Sequence, residues 1–330
     1  MNASKRPRVL VARRIFPSVV ARLREHFEVD AHDSDTPLSQ DELIARLQGC
    51  QGVFVAGTEP VTAELIAACT ELKAVCSMAV GYNNIDVPAC TARGVLVSNA
   101  PGVLTETTAD FGFALMMATA RRITESERYL RRGEWTTWQV DLFAGADIHG
   151  ATLGILGMGR IGQAIARRGV LGFGMQLAYH NRSRLSEAEE AELGARYLSK
   201  QDLLQQADHL VIVVPYSPAS HHLIGATELA LMKPSATLTN VARGGVVDDA
   251  ALARALRERR IAAAGLDVFE GEPAVHPDLL TVPNVVLTPH IASASGPTRL
   301  AMCELAASNL TAALTGGTPP TALNPQVLQS

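Results

Sequence analysis

Short apolar runs alternate along this chain with longer stretches in which apolar residues recur every three or four positions. In the first hundred residues the runs 8–12, 52–55, 74–77 and 95–98 predict strands. Brief, β-branched, almost wholly apolar runs suit strands buried on both faces. Between them, 19–27, 41–47, 62–68 and 87–93 have helical spacing. This alternation predicts a parallel sheet covered by helices on both faces. Asn99-Ala100-Pro101-Gly102 interrupts the pattern, and one long helix is predicted over 104–130, with Phe111, Leu115 and Ala118 on its buried face. A crossover needs less length than this, so the helix is expected to bridge two domains. A second alternation follows, with strands predicted at 153–156, 176–180, 209–213, 236–240, 263–267 and 285–288, helices at 161–171 and 250–258, and a last helix at 298–314. The Pro- and Thr-rich tail is expected to pack as an extended segment.

Length agrees with that doubling, because 330 residues exceed one ordinary core. Hydrophobic residues at 47% and charged residues at 19% are globular proportions. A net charge of −4 without a basic block excludes a nucleic-acid footprint. No apolar run reaches the ~18 residues of a membrane helix. Residues 1–7 are polar and basic, without the apolar core of a secretory signal. The five cysteines are odd in number and form no CxxC, which predicts free thiols in a cytoplasmic protein. His221 and His222 are adjacent, and side chains of adjacent residues normally diverge, so no metal site is expected.

Chemistry first appears at Gly157-Met158-Gly159-Arg160-Ile161-Gly162. This GxGxxG follows a predicted strand and opens a predicted helix, the context in which the motif binds a dinucleotide. Gly157 permits the tight turn, Gly159 lets amides approach a pyrophosphate, and Gly162 lets helix and strand pack closely. The helix N-terminus turns its partial positive charge toward the phosphates. An NAD-specific site would present Asp or Glu about 20 residues later. Here the next strand ends in Asn181-Arg182-Ser183-Arg184. Two guanidinium groups and a hydroxyl attract a 2′-phosphate where a carboxylate would repel it. NADP(H) is the expected cofactor, with NAD(H) the second choice.

Three further segments carry the reaction. They are Asn240-Val241-Ala242-Arg243-Gly244-Gly245-Val246-Val247-Asp248, Gly265-Leu266-Asp267-Val268-Phe269-Glu270-Gly271-Glu272-Pro273, and Thr288-Pro289-His290-Ile291-Ala292-Ser293. Together with the nucleotide motif, their order and spacing resemble the D-isomer-specific 2-hydroxyacid dehydrogenases over nearly the whole chain, closest to the glyoxylate/hydroxypyruvate reductases and their 2-ketogluconate reductase branch. The residue types make chemical sense unaided. Reducing a 2-keto acid needs a cation for the carboxylate and ketone, and the planar fork of Arg243 suits it. It needs a proton donor suited to neutral pH, and the imidazole of His290 offers one. It needs that donor kept charged and oriented, which a neighbouring carboxylate such as Glu272 does.

The resemblance implies further assignments. The amides of Val80 and Gly81 would hold the substrate carboxylate. Arg160 and Ile161 would serve the pyrophosphate. Thr108, Pro215, Val241 and Asp267 would line the nicotinamide half, Asp267 orienting its carboxamide, and His290 would touch the same ring. Trp135 and Trp138 resemble an arm of the family's homodimer interface, through the cofactor domain, that reaches the neighbouring active site. Ala292 and Tyr216 depart from the family's usual residues. The implied fold is α/β, with two doubly wound parallel-sheet domains, a flavodoxin-like substrate domain (1–100 plus 291–330) and a Rossmann cofactor domain (101–290), and a cleft between them. Rival readings are an NAD-dependent enzyme such as 3-phosphoglycerate dehydrogenase and a nucleotide-sensing, corepressor-like binding protein. A formate dehydrogenase is disfavoured, because that branch has an amide where Glu272 stands.

Overall fold

Twelve strands account for the two sheets of the structure, a computed structural model that describes residues 6–329. Met1–Lys5, most of the basic segment noted above, lie outside the described residues. The chain divides into two units, Met1–Leu104 with Ser295–Ser330, and Thr105–Ala294.

The first unit carries β1 (Arg8–Val11), β2 (Glu28–Ala31), β3 (Gly52–Val55), β4 (Ala74–Ser77) and β5 (Leu96–Ser98), in the order β2-β1-β3-β4-β5. Every pairing is parallel. The apolar runs became β1, β3, β4 and β5, and their Leu10, Val53, Val75 and Val97 are fully buried. Burial of such a side chain is worth roughly 1.5–3 kcal/mol. The pattern did not predict β2. It lies at the sheet edge, none of its residues is fully buried, and its Asp30 accepts 2.5 Å and 3.1 Å bonds from Arg46. The final helix, Gly296–Thr315, packs on this same sheet. A methyl group at Gly52 would lie 2.7 Å from Leu310 Cδ1. The tail is more firmly held than an extended segment. Ala322 bridges to Ser98, and the Val97 amide donates to Asn324 Oδ1 at 2.7 Å.

The second unit holds β6 (Thr152–Leu156), β7 (Gln176–His180), β8 (Ala195–Tyr197), β9 (His209–Ile212), β10 (Thr237–Asn240), β11 (Ala263–Leu266) and β12 (Val285–Leu287). Their order is β12-β11-β10-β9-β6-β7-β8, again parallel throughout. Chain direction across the sheet reverses between β6 and β9. Doubly wound sheets bind ligands at such a switch point, beyond the carboxyl ends of the strands. β8 is a second short edge strand that the pattern did not predict.

The single helix predicted over 104–130 is two helices, Thr105–Ala120 and Ile123–Arg131. The break falls at Arg122, whose φ is 53°. Its guanidinium bonds to Glu125 and lies 4.9 Å over the Phe143 ring, contacts that hold the left-handed turn. The first helix buries Ala109, Phe113, Leu115 and Met116, whereas the second buries nothing. All five cysteines are buried and free. Among the described residues no helix is long and apolar enough to cross a membrane.

Candidate active site

The turn after β6 has the form a dinucleotide requires. Gly157 takes φ 105°, a region that excludes most side chains. Gly159 caps the helix Arg160–Arg167, with open space where its side chain would stand. A methyl at Gly162 would collide with the Gly157 carbonyl. The amides of Arg160 and Ile161 lie in the first turn, where the helix supplies no acceptor. Nearby polar residues add to the fit. Thr108 Oγ1 is buried without a partner among the described residues, and a bound cofactor would supply one. Val241 is buried and Pro215 exposed.

The end of β7 divides its work unevenly. Asn181 Oδ1 accepts the Met158 amide at 2.6 Å, so this side chain fastens the glycine turn. Arg184 is engaged by Glu190, which accepts Nε at 2.8 Å and Nη2 at 2.7 Å, and by the face of Tyr197. Glu190 also accepts 2.6 Å from Tyr179 Oη. The Arg184 and Tyr179 bonds hold the Glu190 carboxyl down to about 2. Burial, with Glu190 beside it, pushes Tyr179 up to about 12. Arg182 and Ser183 are exposed, and Arg182 has no partner among the described residues. The sequence offers Arg182 and Arg184 alike to a 2′-phosphate, but of the two only Arg182 has a free guanidinium among the described residues. Nothing in the local sequence marks Glu190 as the partner.

His290, Glu272 and Arg243 lie beyond the ends of β12, β11 and β10. His290 Nδ1 is 2.7 Å from Glu272 Oε1. An ionised carboxylate only accepts, so Nδ1 carries the proton of that bond and Nε2 is left out of it. His290 holds φ 52°, which is uncommon for a residue with a Cβ and is found at sites where surrounding bonds enforce it. Asp267 supplies much of that enforcement. Its Oδ1 accepts from Thr288 Oγ1 at 2.7 Å and the Ile291 amide at 2.9 Å, and its Oδ2 accepts the Ala292 amide at 2.8 Å. The Asp267 carbonyl accepts the His290 amide at 2.8 Å. Asp267 is fully buried, and burial raises its pKa. Asp267 thus holds the loop that carries His290, a role that its place in the sequence does not reveal.

Glu272 Oε2 is buried with no partner among the described residues, a costly arrangement that a mere turn residue would not keep. Burial lowers the Arg243 pKa, and the charge of Glu272 opposes the shift. Asn240 steadies the arginine loop, accepting the Ala242 amide at 3.0 Å and donating to the Arg243 carbonyl at 3.3 Å. A methyl at Gly244 would collide with the Phe269 carbonyl, so the arginine and glutamate segments touch backbone to backbone. Val80 and Gly81 belong to the other unit, after β4, where Asn99 Nδ2 donates to the Val80 carbonyl at 2.7 Å. Their amides have no acceptor among the described residues.

A nucleotide turn at the switch point, followed by Arg, Glu and His at successive strand ends, is matched in known proteins. Residues 113–292 match the family described as D-isomer specific 2-hydroxyacid dehydrogenase, NAD binding domain. The chain belongs to this family. Curated relatives include the glyoxylate reductases of Thermococcus onnurineus, 45% identical over 98% of this chain and 97% of that protein, and of Korarchaeum cryptofilum, 46% identical over 98% of each. Among solved structures, an NADPH-dependent glyoxylate/hydroxypyruvate reductase from Sinorhizobium meliloti, in complex with NADP and malonate, superposes with a TM-score of 0.83. It is 37% identical, over 97% of this chain and 98% of that one. As a D-2-hydroxyacid dehydrogenase of the glyoxylate reductase type, the chain is an oxidoreductase that uses a nicotinamide cofactor on a small keto acid.

The adjacent histidines depart from expectation. His221 and His222 do not diverge; their rings stack with centroids 3.9 Å apart. His222 has φ 50°, and its amide donates to the Gly245 carbonyl at 2.7 Å. That left-handed residue swings its ring onto its neighbour.

Proposed function

We propose that the protein reduces glyoxylate, and hydroxypyruvate or 2-keto-gluconate beside it, to the D-2-hydroxy acid with NADPH in preference to NADH. The observation that carries this reading is the 2.7 Å bond between His290 and Glu272, which leaves Nε2 as proton donor. Arg243 binds the substrate carboxylate and polarises the ketone, while the amides of Val80 and Gly81 hold the same carboxylate. His290 delivers its Nε2 proton to the ketone oxygen, and Glu272 balances the imidazolium before that transfer. The nicotinamide, when bound, supplies the hydride. Thr108, Pro215, Val241 and Asp267 line its half of the site, and Gly157, Gly159, Arg160, Ile161 and Gly162 hold the pyrophosphate. The free guanidinium of Arg182, with Ser183, supports recognition of the 2′-phosphate.

The unit Thr105–Ala294 is the cofactor-binding domain in this reading, and Met1–Leu104 with Ser295–Ser330 the substrate domain. The protein acts as a homodimer through the segment after the second helix. There Trp135, Trp138 and Val140 are 54%, 75% and 86% exposed, an apolar surface that a second copy would cover.

Initial rates with NADPH and NADH, each against glyoxylate, hydroxypyruvate and 2-keto-gluconate, test the proposal. Fast NADPH turnover supports it, and the ranking of keto acids names the substrate. Turnover with NADH alone overturns the cofactor preference. Tight cofactor binding without turnover on any acid points to the corepressor-like reading.

A further inference from the structure

Among the described residues, His221, His222 and Glu270 each bring one ligand atom within 4.8 Å of the others. None of the three has a role in the reaction proposed above. We propose that they form a binding site for one divalent transition-metal ion of the zinc class, an inference independent of the keto acid and the cofactor.

The two imidazoles are turned the same way. His222 Nε2 is 2.8 Å from Glu270 Oε2, and His221 Nε2 is 4.0 Å from Glu270 Oε1. Zinc bonds of about 2.0–2.2 Å in a tetrahedron separate ligand atoms by roughly 3.3–3.5 Å, and the two observed separations bracket that value. The opposite ring nitrogens also have partners. His221 Nδ1 lies 3.3 Å from Tyr216 Oη, and His222 Nδ1 lies 4.0 Å from Asp248 Oδ2. Metal-binding imidazoles characteristically place an acceptor behind the second nitrogen, which fixes the tautomer and strengthens the ligand. Both histidines have such a group behind Nδ1 while Nε2 faces the carboxylate.

Charge favours a cation. The ion-pair partners of Glu270 among the described residues are the two histidines, with no Lys or Arg. Asp249 adjoins, its Oδ2 accepting the Glu270 amide at 3.1 Å. Two imidazoles and one carboxylate without a thiolate suit Zn²⁺, Co²⁺, Ni²⁺ or Cu²⁺ better than Ca²⁺ or Mg²⁺, which take oxygen ligands. The rings now stand at 22° to each other, so one must swing outward before both lone pairs converge. His221 is exposed and His222 half-buried, which leaves room to turn. Binding replaces the proton of the His222–Glu270 bond with the ion and releases that proton to solvent. The occupied site joins the segment after β9 to the turn that carries Glu272, two residues beyond Glu270.

The test uses full-length protein freed of any histidine tag and stripped with a chelator. Co²⁺ is titrated by visible absorption, Zn²⁺ by calorimetry, and melting temperature is followed with and without Zn²⁺. The proposal expects one ion per chain, intense low-symmetry Co²⁺ bands that Zn²⁺ abolishes, and a higher melting temperature with Zn²⁺, as any ligand of the native state gives. His222→Ala and the isosteric Glu270→Gln should lose all three responses while melting like wild type in chelator. Tyr216→Phe should weaken binding by about 10-fold, and His149→Ala should leave it unchanged. No Co²⁺ uptake by the wild type overturns the proposal. So does undiminished uptake by His222→Ala and Glu270→Gln, or loss of uptake in His290→Ala instead.

Discussion

His290 Nδ1 and Glu272 Oε1 meet at 2.7 Å across the ends of two neighbouring strands, β12 and β11, and the bond fixes which imidazole nitrogen is free. In the proposed reaction His290→Gln removes the proton donor, and it should lower kcat for keto-acid reduction by roughly 10²–10⁴-fold. Glu272→Gln keeps the shape but not the charge, and should lower kcat by less. Both variants should bind NADPH like wild type in a fluorescence titration. Loss of cofactor binding in either would move the defect from proton transfer to the nucleotide site.

Asp267→Asn turns one acceptor into an NH₂ that faces N–H or O–H donors. At least one of the Thr288, Ile291 and Ala292 donors then loses its partner inside the protein, at about 1–3 kcal/mol each. The expected result is a fall in melting temperature together with a fall in kcat, since the same loop presents His290. A rise in KM for cofactor alone, with stability intact, would contradict the anchoring role.

The two arginines after β7 should separate in kinetics. Arg182→Ala should raise KM for NADPH about 10–100-fold, the worth of one charged hydrogen bond of roughly 1.5–3 kcal/mol, and leave KM for NADH nearly unchanged. Arg184→Ala breaks the bond to Glu190 and should act chiefly on melting temperature. Equal effects of the two variants on NADPH would refute this division.

Gly162→Ala should weaken both cofactors alike, because its methyl would strike the Gly157 carbonyl and deform the turn under the pyrophosphate. Steady-state KM values for NADPH and NADH, rising by the same factor, would separate this effect from that of Arg182.

Buried His209 gives a pH dependence of defined sign. Burial lowers its pKa, against the opposing bond to the Asp147 carbonyl at 2.9 Å. The unfolded chain, with a histidine pKa of roughly 6.5, therefore binds the proton more readily than the native one. Its share of stability is present above that pH and is lost as pH falls toward the lower native value. Melting temperature should drop as pH is taken from about 7 to about 5, and His209→Asn should flatten part of the slope. An identical slope in the variant would assign it to other groups.

The proposed reacting residues, Arg243, Glu272 and His290, were legible as candidates, with the glycine turn at Gly157, because chemistry restricts their type and because they sit at strand ends within recognisable spacings. β2 and β8, two of the four edge strands, could not be read from the chain, since Glu28 and Asp30 in one and Arg196 in the other break the apolar run that marks a buried strand. Nor could the bend at Arg122, where helical periodicity continues in the sequence while Phe143, 21 positions later, stabilises a left-handed residue. The Arg184–Glu190 pair and the stacked histidines were hidden for a related reason. They depend on which way a loop folds back, and spacing does not encode that.

The second unit is one unbroken stretch of chain, whereas the first is built from both ends. β3 lacks its cover until Leu310 and Leu314 arrive, and β5 lacks a partner on its outer edge until Ala322 and Asn324 do. Domains form as units while the ribosome still elongates the chain. During synthesis the middle of this protein can therefore reach its native form before the beginning does. The first hundred residues emerge early and must wait, incompletely packed, for the last thirty.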